Sequence, residues 1–173
     1  MVRNVHSRVI AADAGSVGLL LDTLATDDDQ LWPVDRWPAM RFDRPLDVGA
    51  DGGHGRIRYT CVKYVPGQEV RFRFHSPRGF DGTHGFIVEA VDATHTRLAH
   101  ELIMTTHGWD RLAWPLVWRW LHDALLEDSL DLAETALVPG TPPRSHHSAY
   151  VRYLRGRVHS HEVRKEQAHA ETR

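Results

Sequence analysis

The sequence predicts an α+β protein in which one long C-terminal helix covers a curved antiparallel sheet. Residues 109–137 contain no internal glycine, and at about 100° per residue their apolar side chains gather on one face. From residue 40 onward apolar and polar residues alternate with a period of two, as in strands that have one buried face. Short turn signals separate these alternating segments, which favours an antiparallel meander.

The elements follow one another in a simple order along the chain. Residues 2–11 alternate as a strand, with Val5 and Val9 among its apolar positions, and Asp13 is a good N-cap for a helix over 14–24. The segment QLWPVDRWPAM predicts a second short helix, suited to a lid. About six strands are expected in total, and those after the helices are predicted at 40–48, 55–65, 69–76, 84–91 and 96–106. Which face of the 55–65 strand is buried stays open.

The long helix carries one residue that does not fit its apolar face. Helical projection places Asp128 near the middle of that face, between Leu121, Ala124 and Leu132. A buried carboxylate is costly unless it is paired, hydrogen-bonded or hydrated. The face is therefore expected to cover a cavity instead of a dry core.

Composition limits the classes of partner and location. Residues 1–138 carry 14 Lys/Arg against 20 Asp/Glu, and residues 139–173 carry 7 against 3. The acidic body argues against nucleic acid as a partner. No apolar run approaches the roughly 20 residues of a membrane span, and the N-terminus lacks a signal-peptide pattern. The single cysteine, Cys61, fits a reducing compartment, so a cytoplasmic location is predicted.

The domain organisation has two parts. Residues 1–138 are predicted to form one domain, and residues 139–173 a linker followed by a basic, histidine-rich tail. This tail is expected to be partly disordered, to form a short extra helix with Tyr150, Val151, Leu154 and Val158 on one side that docks on a partner or a second subunit, or to contact acidic surfaces. A homodimer is one of the partners left open.

Particular segments carry a resemblance to a known superfamily. They are RYTCVKYVPGQEVRFRF at 58–74, GFDGTHGFIVEAV at 79–91, TRLAHELIM at 96–104 and WPLVWRWLHDALLEDSLDLAE at 114–134. With the element order, they resemble the START/Bet v 1-like superfamily, also called SRPBCC or polyketide cyclase/dehydrase, over residues 2–137. The resemblance implies a helix-grip fold, in which the sheet wraps around the C-terminal helix and leaves a mostly apolar cavity. Its members include lipid or metabolite binders, aromatase/cyclases and co-chaperones.

The alternation of side chains along the strands and the apolar face of the helix then predict which residues form the walls of this cavity. A ligand is expected to contact apolar side chains from the sheet, the helix and the lid. The predicted ligand-binding residues are Trp32, Trp37, Phe72, Phe74, Phe86, Leu98, Leu102, Met104, Val117, Trp120, Leu121 and Ala124. The alternative is that the same residues simply fill a core.

Three polar residues are expected to share the cavity. His84 and His100 alternate in phase with apolar neighbours, and Asp128 is the third. A few convergent polar groups in an apolar pocket are typical of a small-molecule site. Imidazole titrates near neutral pH, so the three are also candidate catalytic groups for cyclisation or dehydration of a ketide. The alternative is that each histidine only hydrogen-bonds a backbone group or lies at the hydrated mouth of the cavity.

Three functions remain open from the sequence. The leading prediction is binding of a small hydrophobic or aromatic metabolite, and the second is a polyketide cyclase, aromatase or dehydratase. The third is a co-chaperone-like interaction module, which a cavity below the roughly 300 Å³ usual for ligand sites would favour. No cofactor and no metal site are predicted. The tail histidines lack preorganised ligands, and His122-Asp123 is expected to face solvent or the sheet edge.

Overall fold

The computed structural model describes residues 1–157. Seven strands form one antiparallel sheet in the order β1-β7-β6-β5-β4-β3-β2. The strands are β1 (Val2–Ile10), β2 (Arg41–Phe42), β3 (Asp51–His54), β4 (Ile57–Val65), β5 (Glu69–Ser76), β6 (Phe80–Ala90) and β7 (Thr96–Thr106). The helices are α1 (Ala14–Asp22), α2 (Asp110–Ala113), α3 (Arg119–Leu137) and α4, which includes residues 149–157. A π-helical turn, Trp114–Trp118, joins α2 to α3.

The predicted α+β class and the long C-terminal helix are confirmed. The first prediction to differ is the strand at 40–48, which is reduced to Arg41–Phe42. The glycine-rich run after it, expected as a turn, supplies β3, in which a Cβ on Gly53 would lie 2.0 Å from the Ile57 carbonyl oxygen. Only glycine tolerates this close approach of two backbones. Residues 23–40 form turns and bends where a second short helix was expected.

The first strand presents a polar face to the helix. Val5 and Val9, predicted as its apolar positions, are exposed, and the opposite face carries Asn4, His6 and Arg8. This face is stable because it meets carboxylates of α3. Arg8 donates to Asp131 and Glu134 at 2.5 and 2.9 Å.

The contacts of β4 show which of its faces is buried, a question that the sequence left open. Tyr59 and Cys61 are buried, and Thr60 between them hydrogen-bonds Asp51 on the neighbouring strand. Tyr59 is in ring contact with Phe72 at 4.9 Å between centroids. The concave face of the central strands is therefore aromatic.

A π-helical turn interrupts the helical segment before α3 begins. The Arg119 N–H bonds to the Trp114 carbonyl, an i→i+5 bond that inserts one extra residue into the turn. Trp114 in this turn is buried, whereas Trp120, predicted to face inward, is 47% exposed. The prediction for Trp120 is wrong, because α3 buries the side that carries Leu126 and Ser129, and Trp120 lies on the opposite side of the helix.

The segment after residue 138 folds back onto the domain as far as the structure describes it. Val151 and Leu154 of α4 are buried, and the Trp120 ring contacts Tyr150 at 6.0 Å. The Arg155 guanidinium lies 4.9 Å from the centre of the Trp37 ring. Tail residues beyond 157, including the predicted helical position Val158, lie outside the described residues.

Candidate functional site

A cavity of about 110 Å³ lies between the concave face of the sheet, the helix α3 and the segment after α1. Its walls are mostly aromatic and aliphatic, with a few histidines. The lining residues are Trp32, Trp37, Pro38, His54, Gly55, Arg56, Ile57, Phe74, Phe80, His84, His100, Leu102, Trp114, Trp118, Leu121, His122, Leu125 and Leu126. The volume is smaller than that of usual ligand sites, but an engineered cavity of about 150 Å³ in another protein holds benzene.

The predicted ligand-binding residues divide into three groups. Trp32, Trp37, Phe74, Leu102 and Leu121 line the cavity. Phe72, Phe86, Leu98 and Met104 are buried behind it in the core, and Val117 and Ala124 are packed against that core. Trp120 lies on the outer surface, where its indole N–H donates to the Pro115 carbonyl.

Two of the three predicted polar groups meet in the cavity wall. His84 on β6 and His100 on β7 are 5% and 3% exposed, and His84 Nδ1 lies 3.2 Å from His100 Nε2. Burial lowers the pKa of both imidazoles well below the usual value. The pair is therefore neutral at physiological pH.

A neutral pair of this kind has a defined hydrogen-bonding pattern. The two outer nitrogens, His84 Nε2 and His100 Nδ1, are buried and have no hydrogen-bond partner within residues 1–157. A neutral imidazole has one N–H and one lone pair. Whichever ring donates across the 3.2 Å contact, one outer nitrogen is left as a donor and the other as an acceptor. The pair thus offers a ligand one hydrogen-bond donor and one acceptor, either of which a hydroxyl group matches.

Asp128, the third predicted group, serves a different cluster. Its carboxylate accepts hydrogen bonds from Trp37 Nε1 at 2.8 Å, Ser145 Oγ at 2.7 Å and Arg36 Nη1 at 3.2 Å. His147 Nε2 approaches the same carboxylate at 3.0 Å. Asp128 is buried as predicted, but it is not among the residues within 1–157 that line the cavity. It joins α3 to the segment around Trp37 and to the chain after residue 138.

Sequence reasoning missed two histidines of the cavity wall. His54 lies on β3, where Nδ1 is 2.9 Å from the Tyr59 hydroxyl, and burial lowers its pKa to about 3. His122, expected to face solvent or the sheet edge, contacts the His100 ring at 5.2 Å between centroids. The glycine-rich turn signal concealed β3, and the apolar projection of the helix did not place His122 on the buried side.

A line of polar contacts continues from His122 towards the edge of the sheet. His6 on β1 lies between two carboxylates of α3, with Nε2 3.1 Å from Asp123 and Nδ1 2.7 Å from Glu127. Burial alone would lower the pKa of His6, but these carboxylates raise it. His122 and His6 are in edge contact at 6.2 Å.

Comparison with solved structures identifies the architecture as a helix-grip fold. A Thermobifida fusca protein shares 15% sequence identity at a TM-score of 0.58, over 86% of this chain and 99% of that one. The Aha1 dimer from Colwellia psychrerythraea shares 20% identity at a TM-score of 0.54, over 82% and 100% of the two chains. A Thalictrum norcoclaurine synthase, solved with a transition-state analogue, shares 13% identity at 0.52, over 75% and 95%.

These similarities concern the fold, because function varies widely on one architecture at such low identity. No protein-family model and no curated protein matches the sequence. Within residues 1–157, no helix has the length and apolar character required to cross a membrane.

Proposed function

We propose that this protein is a member of the START/Bet v 1-like superfamily that binds a small, mostly apolar molecule in the cavity between the sheet and α3. The observation that carries the proposal is the pair of buried nitrogens, His84 Nε2 and His100 Nδ1, without a partner within residues 1–157. Buried polar atoms are usually hydrogen-bonded. A core that served only stability would gain from apolar residues at these two positions.

The size and chemistry of the cavity narrow the ligand class. The cavity of about 110 Å³ is smaller than the cavity of about 150 Å³ that holds benzene in another protein, so the ligand is limited to about one aromatic ring. The ring contacts available include Phe74, Trp114 and Trp118. The histidine pair adds a preference for a hydroxyl group. The proposed ligand is a phenol-like or similarly small hydroxylated metabolite, and larger ligands require movement of the Trp32–Trp37 segment.

The experiment compares phenol with toluene, which has the same shape but no hydroxyl group. Binding is followed by tryptophan fluorescence and by NMR chemical shifts of the histidine rings. We expect phenol to bind more tightly, because its hydroxyl can pair an outer imidazole nitrogen that toluene leaves without a partner. In the His84→Leu variant this preference should disappear while toluene binding persists. Equal affinity for the two probes in the native protein would overturn the proposal.

Acid–base catalysis in the same cavity is a second candidate, and the contact between His84 and His100 at 3.2 Å favours it. A polyketide cyclase, aromatase or dehydratase needs groups that take and return a proton. In an enzyme of this kind, His84 and His100 would be the acid–base groups. Asp128 would not take part, because its carboxylate accepts hydrogen bonds from Trp37 and Ser145. Turnover of a small β-ketone or phenolic ketide, abolished in His100→Leu, would separate catalysis from binding.

A small cavity is also expected for the co-chaperone-like interaction module. If neither phenol nor toluene binds, that alternative is favoured. The cytoplasmic location and the homodimer stay predictions.

A further inference from the structure

We propose that His6, His122 and Asp123 form a binding site for one divalent transition-metal ion of the zinc class. The three side chains come together where β1 crosses α3, and one potential ligand atom from each lies within 4.8 Å of the others. Two imidazoles and a carboxylate are a common ligand set for zinc in accessible sites. The site lies at the edge of the sheet and is distinct from the histidine pair in the cavity.

The distances fit a tetrahedral ion. Bonds of about 2.1 Å at tetrahedral angles separate the ligand atoms of a zinc site by roughly 3.4 Å. Asp123 Oδ1 lies 3.1 Å from His6 Nε2 and 3.7 Å from His122 Nδ1. Shifts of a few tenths of an ångström therefore bring Asp123 to coordinating separations from both imidazoles, and the ligand nitrogens of the two imidazoles lie within 4.8 Å of each other.

The ligands are held by a second set of contacts. Glu127 Oε1 lies 2.7 Å from His6 Nδ1, so it accepts the proton there and leaves Nε2 to face Asp123. Asn4 donates to Asp123 Oδ1 at 2.9 Å, which fixes the carboxylate. A carboxylate behind a ligating histidine is a recurrent feature of metal sites.

His122 supplies an independent observation. Both of its ring nitrogens are buried and have no hydrogen-bond partner within the described part of the chain. The distance of 3.7 Å from Nδ1 to Asp123 is too long for a hydrogen bond but suits two ligands of one ion. The side chains of His122 and Asp123 are 16% and 28% exposed, so an ion can reach them. A bound ion satisfies a nitrogen that otherwise has no protein partner.

Three protein ligands leave a coordination position for water or a small molecule. His122 also lines the cavity and contacts His100. The ion would therefore fix one wall of the cavity as well as join β1 to α3.

The test is a titration of the full-length protein with Co²⁺, followed by visible absorption and isothermal calorimetry. Two histidines of the tail, His159 and His161, are first replaced by glutamine, because a His-x-His sequence binds metal ions by itself. We expect one ion per chain with the intense absorption of a four- or five-coordinate site, and displacement of Co²⁺ by Zn²⁺. Glu127→Gln should weaken binding by about 10–100-fold, as loss of an orienting carboxylate does, and Asp123→Asn and His122→Gln by more.

The matched control is His75→Gln, which breaks an exposed histidine–carboxylate pair, His75 with Asp51 at 2.9 Å. It should change the Co²⁺ affinity by less than about twofold, because a single exposed pair does not preorganise a site. Circular dichroism and thermal melting in EDTA test whether each variant is folded. Because two ligand variants, Asp123→Asn and His122→Gln, are measured, the test stays valid if one of them does not fold. Weak octahedral absorption, or equal affinity in the ligand variants and the native chain, would mean adventitious binding and overturn the proposal.

Discussion

Arg8 of β1 and Asp131 of α3 form a buried ion pair in which Nη1 lies 2.5 Å from Oδ1 and both side chains are less than 10% exposed. The same guanidinium binds Glu134 at 2.9 Å and Glu127 at 3.0 Å. Although burial opposes ionisation, the hydrogen bonds from Arg8 and from the Ser145 N–H hold the pKa of Asp131 below its usual range. The first strand and the last long helix are thus joined by charge where a hydrophobic contact was expected.

Replacing Arg8 by methionine should destabilise the protein by about 3–5 kcal/mol, because the buried carboxylate of Asp131 loses its cation, whereas Glu134 keeps Arg144. Urea unfolding at pH 7.5 measures the change. The control is Arg3→Met, which breaks an exposed pair with Glu101 and should cost only about 0–1 kcal/mol. Adding Asp131→Asn and Glu134→Gln to the Arg8 variant should restore part of the stability. An Arg8→Met loss no larger than that of Arg3→Met would contradict this account.

Asp128→Ala should loosen the contacts on both sides of α3, since Trp37, Arg36 and Ser145 all lose their acceptor. Leaving buried donors unsatisfied costs about 1–3 kcal/mol each. Limited trypsin digestion should therefore cleave faster after Arg36 and Arg152.

The matched control for this variant is Asp35→Ala, an exposed carboxylate in the same segment as Trp37. It should leave the digestion pattern as in the native chain. Unchanged cleavage in Asp128→Ala would show that the carboxylate does not hold these segments.

Stability should fall as the pH drops below about 6.5, the value at which histidine titrates in the unfolded chain. Burial lowers the pKa of His54 to about 3, and that of His84 also lies well below its usual value. Between these values and 6.5 the unfolded state binds protons that the folded state does not, so the stability is complete above 6.5 and decreases towards acid.

For one such histidine the loss reaches about 2 kcal/mol by pH 5. Urea midpoints measured at pH 7.5, 6.5 and 5 should show a smaller decrease for His54→Gln than for the native protein. The same decrease in both proteins would mean that His54 is already protonated in the folded state at pH 5.

Trp114→Leu should weaken phenol binding, whereas Trp120→Leu should leave it within about twofold. Trp114 is buried and lines the cavity, and Trp120 is 47% exposed on the outer surface. The measurement is the phenol dissociation constant by calorimetry. A larger effect from Trp120 would mean that the helix is packed with the phase that the sequence predicts.

The strands of the sheet could be predicted because alternation and turn residues are local features of the sequence. Alternation and short turns place His84 and His100 on adjacent strands, and the register pairs Phe86 with His100, so the two histidines are diagonal neighbours on one face. Their contact is a direct consequence of that geometry. The aromatic side chains around them follow the same alternation.

The polar surfaces could not be predicted by the same reasoning. Sequence alternation assigns the apolar side chains of a strand to the core, and in β1 this rule selected Val5 and Val9 over His6 and Arg8. The correct face depends on carboxylates more than 100 residues away in the chain, such as Glu127 and Asp131.

The buried face of the long helix could not be identified from its apolar residues alone. That face includes the polar residues Ser129, Asp131 and Glu134, which bond to groups outside the helix. A projection that counts only apolar side chains therefore rotates the face towards Trp120. The projected position of Asp128 was close to correct in burial and wrong in its partners.

The charge pairing of β1 with α3 also sets an order of assembly during synthesis. Within residues 1–157, β1 pairs with β7 alone, with Val2 opposite Met104, and Arg8 binds the carboxylate of Asp131, 123 residues later. At translation rates of about 5–20 residues per second, the first strand waits for roughly 6–25 s before its counter-charges leave the ribosome. During this interval the polar side chains of Arg8 and His6 keep the inner face of β1 hydrated. Charged side chains on an unpaired strand oppose its pairing with other nascent chains.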